Sequence, residues 1–143
     1  YCYNLNWKVV RLNNTYGKKQ FPDKLIPKFI KLLNEGKKLT IHGEGLVTRN
    51  FLHVEDFVDA VEVVYDKGEN KNIYNVSTDE EYTIIKVTEM ICNAMNFKLE
   101  DRPFNDPCYH SKSDKLRELD WSPKRTLTES LPELVKYYSK EDK

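Results

Sequence analysis

Arg49 lies between a glycine turn, Gly43-Glu44-Gly45, and an alternating run, Asn50-Phe51-Leu52-His53-Val54. The two glycines permit backbone angles that other residues avoid, and the run reads as a short strand. A helix follows at once. Glu55 and Asp56 occupy its first turn, where the helix dipole favours acids. Phe57, Val61, Val64 and Tyr65 recur at helical spacing, and Gly68 stands where a helix stops. A guanidinium on the stiff part of such a unit suits a bound phosphate, to which it can donate two parallel hydrogen bonds. It also suits an ion pair with a nearby carboxylate, the reading that spacing alone favours. Asn13 and Asn14 follow an apolar run at residues 7–12, WKVVRL. They therefore lie outside the carboxyl end of a strand, where open parallel sheets gather ligands. The same stretch, Asn13-Asn14-Thr15-Tyr16-Gly17, is also ordinary turn chemistry. Lys24 stands at a helix entrance, either as a solvated lysine or as a partner for an anion.

The elements that must hold these residues alternate between two periods. Residues 7–12, 38–42 (KLTIH) and 72–76 (NIYNV) read as strands. A helix is expected over 23–35, with Leu25, Ile26, Phe29, Ile30, Leu32 and Leu33 as its stripe and Gly36 as its end. Thr83 caps another, carrying Ile84, Val87, Ile91, Ala94 and Met95. Residues 99–103 read as extended and 104–110 as a loop, with a short helix over 113–120. The last helix starts at Thr126 or Thr128. Pro132 favours the later start, because a proline deep inside a helix costs about 3 kcal/mol. Leu131, Leu134, Val135 and Tyr138 form its buried face, and residues 140–143 are expected to fray. Strands alternating with helices give the α/β class. A strand as apolar as 7–12 wants neighbours on both sides, more than the remaining strands supply.

With 143 residues the chain is one domain or part of a larger one. Lys plus Arg and Asp plus Glu both number 23, and this zero net charge argues against a nucleic-acid or membrane-surface role. No apolar run approaches the ~20 residues of a membrane span. Cys2, Cys92 and Cys108 form no CxxC pair, which points to free thiols in a reducing, cytoplasmic compartment. Cys108 and His110 lack a second ligand pair, so no metal is expected. The chain opens on Tyr1-Cys2-Tyr3 without Met, in mid-element, as a fragment does.

Four ordered blocks carry a resemblance: RLNNTYGKKQFPDKLIPKFI, LTIHGEGLVTRNFLHVEDFVDAV, NIYNVST and EDRPFNDPCYHSKSDKLRELDWSPK. Together they resemble the nucleotide-sugar 4,6-dehydratases, acting on dTDP-glucose or UDP-glucose, within the extended short-chain dehydrogenase/reductases. The resemblance implies an N-terminal Rossmann region that binds NAD and a smaller C-terminal region that binds the sugar nucleotide. It implies that residues 1–20 are the last part of the former and residues 21–143 mainly the latter, in a parent that is a homodimer. It further implies that Asn14, Lys24, Leu25, Thr40, His42, Arg49, Arg102 and Tyr109 contact the sugar nucleotide and that Asn13 nears the nicotinamide. Cys108 stands where the family commonly has Arg, beside Pro107.

The family's reaction moves hydride from C4 of the hexose to NAD, removes water across C5 and C6, and returns hydride to C6. Its Tyr-x-x-x-Lys pair is expected upstream of Trp7, because Tyr1 is followed by Leu5 and Tyr3 by Trp7 at that spacing. The resemblance thus implies no catalytic residue in this stretch, and a parent enzyme that is active where this chain alone is not. Two other readings remain: a nucleotide-sugar epimerase or UDP-glucuronate decarboxylase of the same fold, and a non-catalytic interaction protein.

Overall fold

A computed structural model describes residues 4–41, 45–97 and 113–141. Strand β1 (Lys8–Leu12) is followed after one residue by β2 (Asn14–Tyr16), then α1 (Leu25–Asn34). Next come β3 (Thr48–His53), α2 (Val54–Lys67), β4 (Asn72–Val76), β5 (Glu81–Thr83), α3 (Ile84–Ala94), α4 (Asp114–Arg117) and α5 (Leu127–Glu141). The class is α/β, with two partial sheets. In one, β1 pairs parallel with β4, Leu12 opposite Val76. In the other, β3 is central: it pairs parallel with β2, Asn14 opposite Phe51, and antiparallel with β5, Arg49 opposite Tyr82.

Each sheet has its own core. Leu52, Ala60, Val64, Tyr74, Val76, Leu116 and Trp121 bury one face of β1–β4 beneath α2 and α4. The second core joins Tyr16 and Phe51 to α1, α3 and α5, through residues such as Ile30, Ile91 and Leu134. The stripe expected on α1 is largely the one that packs: Ile26, Phe29, Ile30 and Leu33 are buried. Thr83 caps α3 as expected, its hydroxyl accepting from the Lys86 amide at 3.2 Å.

Several expectations need correction. Residues 38–41 form no strand; Leu39 and Ile41 pack against the second core from one side, so alternation gives burial without a ladder partner. The stretch 14–16, expected as turn, is strand β2, because β3 offers it hydrogen bonds. Strand β5 has no sequence signal. On α2 the buried residues are Asp56, Ala60 and Val64, while Val61 and Tyr65 of the expected stripe are exposed. Helix α5 starts at Leu127, ahead of the favoured Thr128. Thr126 and Glu129 cap each other reciprocally there, each side chain taking the other's amide at 3.3 Å. That leaves Pro132 only the missing bond to the Thr128 carbonyl. The helix also continues through Lys140 and Glu141, where fraying was expected.

Apolar side chains stay uncovered around β1 and α2. Leu5, Trp7, Val9 and Leu12 are exposed, and so are Val58, Val61 and Tyr65. Trp7 and Val10 of the β1 region share a cleft with Val61 and Tyr65 of α2. Among the described residues, no helix is long and apolar enough to cross a membrane.

Candidate functional site

A cleft of about 450 Å³ opens where β1 ends and β2, β3 and α1 meet. The parallel pairing of β2 with β3 builds it. Alternation along β3 sends Arg49 and Phe51 to the cleft and Asn50 to the opposite, buried side. There the Asn50 amide donates to the carbonyls of Thr78 at 2.9 Å and Glu80 at 3.2 Å, while its own backbone carbonyl accepts from the Asn14 side chain at 3.2 Å. Asn14 is thereby fixed at the rim beside Asn13. The Arg49 guanidinium donates to the Thr48 carbonyl at 3.0 Å, which orients it along the strand.

The other wall is the start of α1. Lys24 is its N-cap residue and supplies no side-chain cap, and the first turn contains no acid. Unsatisfied amides at a helix start carry the positive end of the dipole. Lys24, Leu25 and Ile26 line the cleft together with Gln20, whose side-chain amide donates to the Thr15 carbonyl at 2.6 Å. Among the described residues the lining holds two cations, Lys24 and Arg49, and no acid. Such a wall attracts an anion.

Of the residues expected to bind ligand, Asn13, Asn14, Lys24, Leu25 and Arg49 come together here. Thr40 is exposed and does not line the cleft. His42, Arg102 and Tyr109 lie outside the described residues, as do Cys2, Cys108, His110 and the segments 99–103 and 104–110. Gln20, Thr15, Tyr16 and Phe51 line the cleft without having been expected to. The last three reach it through the in-register pairing of β2 with β3, which leaves no mark in the sequence.

Behind the cleft Tyr16 is 1% exposed, and its hydroxyl donates to Ser130 Oγ at 3.2 Å. Burial pushes its phenol up to about 12, so it stays neutral. The ring meets His53 edge-on, with centroids 5.2 Å apart. His53 caps α2, its Nδ1 accepting from the Glu55 amide at 3.2 Å. Burial holds the imidazole below the ordinary histidine value, partly opposed by the Glu55 carboxylate.

The sign of the resulting pH dependence follows. Below about pH 6.5 the unfolded chain takes up a proton that the folded His53 resists, and protonation would also abolish its cap. His53 therefore contributes stability that is present above that value and is lost as pH falls through it. Urea midpoints should drop between about pH 7.5 and about pH 5.5, and His53→Asn, which keeps a capping oxygen, should flatten the drop. An equal drop in the variant would clear His53 of the effect.

The spacing Tyr-x-x-x-Lys recurs at Tyr82 and Lys86. Tyr82 lies on β5 and Lys86 on α3, so the two do not share one helix face. The Tyr82 hydroxyl donates to Glu80 Oε2 at 3.0 Å, and Lys86 Nζ pairs with Glu89 at 3.3 Å. Burial raises the Tyr82 phenol, the direction opposite to that of a tyrosinate base.

Known proteins resemble this chain in sequence and in fold. The trifunctional UDP-glucose 4,6-dehydratase/UDP-4-keto-6-deoxy-D-glucose 3,5-epimerase/UDP-4-keto-L-rhamnose-reductase RHM1 of Arabidopsis thaliana is 40% identical over 96% of this chain, which matches 22% of that protein. The dTDP-D-glucose 4,6-dehydratase of Mus musculus is 38% identical over 92% of this chain and 41% of its own length. The crystal structure of dTDP-glucose 4,6-dehydratase from Bacillus anthracis in complex with NAD superposes with a TM-score of 0.86 at 36% identity, over 94% of this chain and 45% of that one. The chain thus spans less than half the length of these relatives. A family model described as NAD dependent epimerase/dehydratase matches residues 2–77, more than half of the chain. The chain belongs to the NAD dependent epimerase/dehydratase family.

Proposed function

We propose that the chain is the sugar-nucleotide-binding portion of an NAD-dependent nucleotide-sugar 4,6-dehydratase. The observation that carries this reading is the convergence of Asn13, Asn14, Lys24, Leu25 and Arg49 on one cleft with two cations and no acid in its described lining. A diphosphate fits it by charge. Arg49 donates paired hydrogen bonds to the phosphate oxygens, Lys24 adds a point charge, and the uncapped start of α1 adds its dipole. Asn14, tied to β3, positions the sugar nucleotide at the carboxyl end of β1. Grip on the diphosphate orients the hexose for a reaction whose reacting groups lie elsewhere.

NAD, when bound, accepts and returns hydride. The described residues contain no glycine-rich phosphate loop after a strand, so their fit to the dinucleotide is partial: Asn13 would approach the nicotinamide, and the remaining length seen in the relatives would hold the rest. In this reading β1 belongs to the Rossmann sheet, with β4 covering one of its edges. Its open edge and the uncovered apolar strip on β1 and α2 receive the missing strands. The catalytic Tyr-x-x-x-Lys is assigned to that remaining length as well, a reading supported by Tyr82 and Lys86 standing on different elements and bonding Glu80 and Glu89. The chain by itself then binds without turning over, in a cytoplasmic homodimer when whole.

The test uses the whole protein with NAD and either UDP-glucose or dTDP-glucose, and follows product mass. Loss of one water supports the dehydratase. Unchanged mass points to an epimerase and sinks it. Arg49→Ala should weaken binding of the nucleotide sugar about ten-fold, the worth of one charge-assisted contact. Calorimetry showing wild-type affinity would remove Arg49 from the site.

A further inference from the structure

The turn between β2 and α1, residues 17–20, is held from outside by α5. The Tyr138 hydroxyl donates to the Gly17 carbonyl at 2.8 Å and accepts from the Gln20 amide at 2.9 Å, so one phenol closes both ends of the turn. Tyr138 is 9% exposed, and its ring packs edge-on against Tyr137 at 5.1 Å. Within the turn Lys19 sits at φ +61°, a left-handed conformation that side chains other than glycine avoid. Such a backbone persists only where its surroundings over-determine it. Lys18 pairs with Glu133, on the turn of α5 before Tyr138, and Tyr16 bonds Ser130. Helix α5 thus holds the turn at Tyr138 and Lys18, and the strand just before it at Tyr16.

What the turn carries lies in the cleft. Gln20 spans to the Thr15 carbonyl and lines the wall. The Phe21 carbonyl accepts from the Lys24 amide at 3.0 Å, which sets the start of α1. The geometry points to Tyr138 as a positioning residue for ligand binding: through its hydroxyl it fixes the turn that places Gln20 and Lys24 against the anion. The inference rests on the sugar-nucleotide reading of the cleft and adds a residue 118 positions downstream of Gln20. Tyr138 touches no ligand itself.

Tyr138→Phe keeps the ring and removes both hydrogen bonds. In the whole protein, with NAD present and UDP-glucose and dTDP-glucose as titrants, it should weaken binding about five-fold. KM should rise while kcat per folded molecule stays unchanged, and amide exchange should quicken at residues 17–20. Leu127→Val is the control, since it trims a fully buried side chain at the far end of α5 and should lower the melting temperature without moving KM. Equal weakening by Leu127→Val would reduce Tyr138 to a helix stabiliser and overturn the inference. Weak binding in Arg49→Ala with wild-type affinity in Tyr138→Phe would overturn the positioning role alone. Wild-type affinity in both variants would overturn the reading of the cleft, and this inference with it.

Discussion

Asp56→Ala should cost about 3 kcal/mol of folding stability, the lower end of what breaking a buried, hydrogen-bonded charge pair costs. Asp56 sits in the first turn of α2 and is 1% exposed. Its Oδ2 accepts from the backbone amides of Lys124 and Arg125 at 3.0 and 2.9 Å, and its Oδ1 accepts from Arg125 Nη1 at 2.6 Å. The carboxylate therefore pins the segment between α4 and α5 onto α2. Because α2 packs in one core and α5 in the other, this is a tie between the two. Alanine strands two amides and removes the acid that complements the dipole of α2. The Arg125 guanidinium is 37% exposed and keeps Glu55 at 2.7 Å, which places the cost at the low end of the range. The neighbouring Lys124–Asp59 pair is solvent-screened and offsets little. Asp56→Asn, with one acceptor oxygen retained, should cost less. Urea denaturation resolves the three proteins; a loss below about 1 kcal/mol in Asp56→Ala would mean that the tie carries no weight.

The sequence shows Asp56 as a dipole-favoured acid and nothing more, because its partners stand 68 and 69 residues away. The same limit separates what was legible from what was not. Strands β1 and β4 and helices α1 and α3 carry their own periods, and α3 its own cap, so they can be read locally. Strand β2 has the composition of a turn and β5 only three residues; both exist because β3 offers them hydrogen bonds, a non-local cause. Residues 38–41 show the converse, alternation that buries side chains without finding a ladder. The apolar stripe of α2 is wider in the sequence than the face that packs, since Val61 and Tyr65 remain uncovered. For the site, the family blocks drew attention to Asn13, Asn14, Lys24, Leu25 and Arg49, and the β2–β3 register brings them to one cleft. Gln20 and Tyr138 escaped, because a glutamine in a polar connection and a tyrosine on an amphipathic helix carry no local mark of what they hold.

The entry to β3 gives the second large effect. Gly45→Val should destabilise by about 3 kcal/mol or more, from two separable causes. Gly45 has φ +66°, where a side chain costs about 1–2 kcal/mol and a β-branched one more. A Cβ there would also stand 2.9 Å from Ile85 Cβ and 3.0 Å from the Ile85 amide nitrogen, closer than packed atoms sit. Those neighbours cannot simply retreat. The Gly45 carbonyl accepts from the Ile85 amide at 2.9 Å, and the Val47 carbonyl accepts from the Ile84 amide at 3.0 Å. The segment before β3 thus satisfies the first amides of α3, and pushing it away unseats that helix and shifts the strand that carries Arg49. Gly36 separates the causes: its φ is +65°, yet a Cβ at that position would meet nothing within 4 Å. Gly36→Ala should therefore cost only the conformational share, about 1 kcal/mol, and Gly45→Ala distinctly more. Equal costs for the two alanines in chemical denaturation would show that the approach to Ile85 contributes nothing, and that the turn before β3 needs glycine for its backbone angle alone.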